Sequence, residues 1–310
     1  MELAADFAFQ PLDNDEGTAE GTAVRAAAVA PDQGLGPLAG LAGSWSGQGF
    51  NAIWRPHTGA SDHFLELNVT NDRIDLEVIP GNIPNRGLVQ GQIFMHGLTY
   101  LQQISDANVK VNGAPAGLHI EPGLWINVPP LSDPKEPAAI ARLASIPHGT
   151  TILVQGITAT AAGGPSFPAA SLTPFTIGQP NQTVDFDEQH LNKTTAFRTS
   201  GVGMTGITQA MLDNPNSVLA ANPPNVTTTT RLHVSSTAGP IVGGGTSNMS
   251  FLVGTKDGPN ADAAHVAATF WLQTLHGDTE PKRLQYSQTV LLNFAGLSWP
   301  HITVATLTKA

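Results

Sequence analysis

Apolar and polar residues alternate in short runs along most of this chain, the period-two pattern of strands with one buried face. Within residues 64–69, Leu65, Leu67 and Val69 share a side, and within 73–78 Ile74, Leu76 and Val78 do. Thr70-Asn71-Asp72 between them is turn chemistry, so the pattern predicts two strands joined as a hairpin. A Gly-punctuated aromatic run over 44–53 predicts an earlier strand, and others are predicted at 99–104, 118–128, 139–145, 151–159, 227–234, 249–254, 264–275, 284–294 and 301–308. About ten strands with few helices imply an all-β antiparallel barrel or sandwich, and closure into a barrel removes the adhesive edges.

Two stretches break the pattern. Residues 1–37 are rich in Ala, Gly, Pro and acids without periodicity and read as a mobile arm, leaving 38–310 as a single domain. Residues 160–260 begin with closely spaced prolines and read as a long insertion over one end of the barrel, with a short helix near 205–212. Gly201, Gly203 and Gly206 match the spacing of a dinucleotide-binding loop, but no parallel βαβ context surrounds them.

Composition narrows the function. Charged residues are 12% of the chain, and Gly (32) and Pro (24) are abundant, which suits many strands joined by tight turns. A net charge of −10 with 14 Lys plus Arg and no basic cluster argues against nucleic acid. Cysteine is absent, which removes disulfides and thiolate chemistry. The acidic first residues and the lack of a long apolar run lead to the expectation of a cytoplasmic protein without a membrane partner, for which a homodimer is an allowed assembly.

Candidate chemistry centres on the last predicted strand. Pro300 has a fixed φ, so His301 is aimed, and alternation places His301, Thr303, Ala305 and Leu307 on one face. Four segments keep it company in order: Gly43-Ser44-Trp45-Ser46-Gly47-Gln48-Gly49, then Tyr100-Leu101-Gln102, then Leu118-His119-Ile120-Glu121-Pro122-Gly123, then Ile146-Pro147-His148-Gly149. This succession, closed by Pro300-His301, resembles the nitrobindin family of heme-binding calycin-like β-barrels over roughly residues 38–159 and 260–309.

The resemblance implies a calycin-like (nitrobindin-like) barrel of about ten strands that holds ferric heme b through His301 as the metal ligand. It also implies binding of nitric oxide and conversion of peroxynitrite to nitrate, or peroxidase-like chemistry. Trp45, Pro300 and Thr303 are the further cofactor-binding candidates, and His148 and His119 the catalytic ones. An imidazole suits iron when its second nitrogen is held by an acceptor, and an apolar barrel suits a porphyrin.

Two alternatives stay open: a lipocalin-like carrier of a hydrophobic small molecule without heme, and a non-heme metalloenzyme. In the latter, His119 and Glu121 lie on one face of a strand, with His96 or His148 as third ligand. His119 and Glu121 also suit a purely structural buried pair, and Trp45 and Trp125 suit core plugs. Arg55 and Arg86 are candidates to pair with ligand carboxylates. Ser61, Asp62 and His63 lack the Gly-x-Ser-x-Gly elbow of a hydrolase.

Overall fold

Ten long antiparallel strands follow one another around a single sheet in chain order, and the last pairs with the first, closing a barrel. They are β1 (Gly43–Pro56), β2 (His63–Val78), β3 (Ile93–Val111), β4 (Ala114–Val128), β5 (Ala139–Ile146), β6 (Thr150–Ala162), β7 (Val226–Ser235), β8 (Asp262–Leu275), β9 (Arg283–Phe294) and β10 (Leu297–Lys309). This up-and-down meander is the calycin-like architecture expected from the sequence. The computed structural model describes residues 34–221, 223–237, 239, 241–255 and 257–310.

The glycines of the first motif make closure work. A Cβ on Gly47 would meet the Thr306 carbonyl oxygen at 2.1 Å, and one on Gly49 the Val304 carbonyl oxygen at 2.1 Å. At these two positions of the seam, β10 approaches β1 so closely that only a residue without a side chain fits.

Inward-facing apolar residues fill one end of the barrel. Trp45, Trp125, Leu98, Phe270, Leu284 and Leu307 belong to this core, and a 3-10 turn over Gly36–Leu41 plugs it with Leu38 and Leu41. Leu35 is also buried, and the Asn127 side chain donates to the Gly34 carbonyl at 2.9 Å. Residues 34–37, expected in the mobile arm, are therefore docked; 1–33 lie outside the described residues.

The expected hairpin over 64–78 is one continuous strand. β2 pairs with β1 without a break from Pro56↔His63 to Gly43↔Leu76. The apolar face switches from odd to even positions at Thr70 because the strand serves two cores. Leu65 and Leu67 face outward into a second core, whereas Ile74 and Leu76 face inward.

That second core corrects the expected placement of the insertion. Residues 163–221 do not cover an end of the barrel; they lie against its outer wall, where Leu172, Leu212 and Leu219 pack on Phe50, Trp54, Trp271, Ile302 and Val304. Trp54 donates its indole N–H to the Leu172 carbonyl at 2.8 Å. The stretch expected as one insertion is two, because β7 within it is a barrel strand paired with β6 and β8. The predicted strand at 249–254 is instead a single helical turn, α2 (Ser250–Val253). The helix near 205–212 is present as α1 (Gln209–Asp213).

Candidate functional site

At the end of the barrel opposite the Trp45 core, the inward positions enclose a cavity of about 310 Å³. That lies at the lower end of the ~300–1,000 Å³ typical of ligand sites. Ile53, Ile104, Leu118, Ile146, Val266, Val290 and Leu292 give it apolar walls. Leu252 of α2 also lines it. The segment carrying α2 is clipped to the turn that holds His148: Met249 N–H donates to the Gly149 carbonyl at 2.8 Å, and Thr150 Oγ1 donates to Asn248 at 2.7 Å.

His301 and Thr303 sit on the cavity wall, as the alternation along β10 requires. His301 Nε2 lies 2.8 Å from Asn51 Oδ1, which also accepts the Thr303 hydroxyl at 2.9 Å. Burial, helped by nearby His119 and His148, pushes the His301 imidazolium down to about 3, so the ring is neutral at pH 7.

His119 and His148 also line the cavity, their rings stacked with centroids 5.6 Å apart. His119 Nε2 lies 3.2 Å from Glu121 Oε2. Burial and the neighbouring His119 hold His148 below the usual imidazole range. Arg55 at the same cavity pairs with Glu66 at 2.8 Å.

Below the histidines lies a polar floor. Glu121 is fully buried and accepts from both the Arg142 guanidinium and the Tyr100 hydroxyl. Burial alone would raise its carboxyl, but the charge of Arg142 and the hydrogen bond from His119 win and hold it at about 2. Arg142 donates further to Tyr100 at 2.8 Å and to Gln288 at 2.6 Å. Beside them, Tyr286 donates to Asp72, and Gln102 donates to Tyr286 at 2.9 Å.

Asp72 has no cation against it comparable to Arg142. Burial therefore dominates and lifts its carboxyl from 3.8 to about 6 despite the hydrogen bonds from Tyr286 and Gln102. A group with a raised folded-state value favours folding below its unfolded value and loses that contribution as pH rises to the folded one. The loss between pH 4 and 7 is about 2 kcal/mol at 1.36 kcal/mol per pH unit. Asp72→Asn is expected to remove it. Urea denaturation of both proteins at pH 4 and 7 should show the variant gaining on wild type by that amount; a difference independent of pH would contradict the assignment.

Several expected site residues lie elsewhere. Trp45 is in the closed end, donating its indole N–H to Leu41, roughly 26 Å along the strand from the level of His301. Pro300 faces the outer wall beside Leu291 and Ile302. Neither touches the cavity, because Trp45 fills the core and Pro300 has the opposite parity to His301. His96 packs near Gly34 at the plugged end and cannot join His119 and Glu121 as a metal ligand. Glu121 is itself taken up by Arg142, and no group of three or more His, Asp or Glu among the described residues could hold a metal ion. Arg86 sits in a surface loop, and His63 sits outside the cavity among Trp54, Phe186 and Trp299. Gly201–Met204 forms a 3-10 turn, with no parallel strand before it. Asn51, Asp72 and Gln288 went unrecognised in the sequence; the signal available was a polar residue at an inward position of a β-strand.

No protein-family model and no curated protein matches the chain. Among solved structures it is similar to the crystal structure of Rv2717c from M. tuberculosis, at 14% identity and a TM-score of 0.43, over 91% of this chain and 99% of that one.

Proposed function

We propose that the barrel binds b-type heme, with His301 as its one protein ligand, and handles nitric oxide, peroxynitrite or peroxide. The observation that carries this is a neutral, oriented imidazole on the wall of a cavity whose sides are formed by Ile53, Ile104, Val290 and Leu292. The donor set fits: one ring nitrogen of His301 is held by the Asn51 oxygen, and the other has no hydrogen-bond partner among the described residues. Ile53, Ile104, Val290 and Leu292 would flank the porphyrin. Bound ferric heme would supply an iron able to take a small oxidant or gas.

His119 and His148 line the same cavity and would serve as proton donors or acceptors, since Glu121 anchors His119 and burial lowers His148 below the usual imidazole range. The carrier reading is weaker for an anionic lipid. Arg142 is neutralised by Glu121 and Arg55 by Glu66, so neither cation in this region is free for a carboxylate head group. The deciding experiment is the absorbance spectrum of protein purified from cells supplied with heme, followed by hemin titration. A Soret band saturating at one hemin per chain is expected; none after titration would overturn the proposal.

A further inference from the structure

A chain of buried side chains runs from the far side of β2 to His301. Asp106 Oδ1 accepts the backbone N–H groups of Asn108 and Val109 at 2.7 and 2.9 Å, and its Oδ2 accepts Asn68 Nδ2 at 2.8 Å. Asn51 Nδ2 donates to Asn68 Oδ1 at 3.1 Å, and Asn51 Oδ1 faces His301 Nε2 at 2.8 Å. Asp106, Asn68 and Asn51 are 2%, 4% and 8% exposed, so water cannot substitute for a missing partner.

The direction of every bond follows from one end. A carboxylate only accepts, so Asn68 must turn its amino group to Asp106 and its oxygen to Asn51. Asn51 must then turn its amino group to Asn68 and its oxygen to His301. Facing an oxygen that already accepts from Thr303, Nε2 must carry the proton. A neutral imidazole has one proton, so Nδ1 holds the lone pair.

We propose that Asp106, Asn68 and Asn51 form a positioning relay that fixes His301 as the Nε2–H tautomer, so that Nδ1 is the nitrogen offered to heme iron. The second clause rests on the heme reading above; the first stands without it. The relay also makes a distant isosteric change decisive. In Asp106→Asn, the backbone N–H groups still claim the side-chain oxygen, so an amino group now faces Asn68. Asn68 and Asn51 must each turn over, Asn51 presents its amino group to His301, and the imidazole proton moves to Nδ1.

The test is long-range proton–nitrogen NMR on heme-free protein labelled with 15N-histidine at pH 7. Wild type is expected to show His301 protonated at Nε2 and Asp106→Asn to show it protonated at Nδ1. The double variant Asn51→Asp/Asp106→Asn, in which residue 51 can only accept, is expected to return it to Nε2. Wild type in the Nδ1–H form, or Asp106→Asn unchanged, overturns the relay, and the wild-type spectrum decides the tautomer even if a variant fails to fold. Hemin titrated into Asp106→Asn should bind about 10-fold more weakly. An inverted tautomer in a protein that never binds hemin would sink the heme reading alone.

Discussion

On the proposed heme reading, hemin is expected to bind His301→Ala about 100-fold more weakly than wild type, with the Soret band displaced toward that of porphyrin lacking a strong protein ligand. The magnitude follows from removing the proposed iron ligand itself, when changes to the partners of such ligands already cost about 10–100-fold in metal affinity. The apolar walls formed by Ile53, Ile104 and Val290 remain, so residual binding persists. The truncation leaves a space the size of an imidazole beside Asn51, whose oxygen loses its His301 partner and keeps only the Thr303 hydroxyl as donor. Free imidazole should therefore restore the wild-type spectrum in the variant and change wild type little. Unaltered hemin affinity in His301→Ala would remove this residue from the site, whatever the barrel binds.

Arg142→Leu is expected to destabilise the barrel by about 3–5 kcal/mol, the usual consequence of leaving one member of a buried ion pair alone. Glu121 is 0% exposed and would keep only Tyr100 and His119 as partners. Its wild-type carboxyl, held at about 2, stabilises the fold above pH 4.5, and that contribution is lost as pH falls toward 2. In the variant burial is no longer opposed by the guanidinium, so the carboxyl rises above its usual value and the sign reverses. The deficit of Arg142→Leu should shrink as pH is lowered from 7 to 5. Chemical denaturation across that range tests it, with Glu121→Leu/Arg142→Leu recovering most of the loss because no charge is stranded. A deficit that is constant with pH and persists in the double variant would mean that packing, not charge, holds this floor together.

The barrel was legible because period-two alternation is a local property, read from each strand without knowing its neighbours. His301 on the inner face follows from the same alternation once Ala305 and Leu307 are taken as core. The β2 strand was misread where locality fails: its apolar parity switches at Thr70 because a segment more than 100 residues away covers its first half, and a switch of face resembles a turn. Residues 249–254 were apolar enough for a strand, yet Phe251 and Val253 are exposed and the run folds as the turn α2. Arg142 sits between inward Ile140 and Ala144, and a lone cation on an apolar face implies a buried partner, but alternation cannot say that the partner is Glu121. Asn51, Asn68 and Asp106 come from three strands, and their meeting depends on register, which is set by the seam at Gly47 and Gly49 rather than by any motif.

Along β10, His301 and Thr303 look into the cavity while Ile302 and Val304 are gripped by the outer core. Four consecutive residues thus tether the barrel lining to the coat formed by 163–221. The imidazole is braced from behind as well as from the side, and a substitution at Leu212 or Leu219, far from the cavity, should be felt at His301 as a change in how firmly its ring is held.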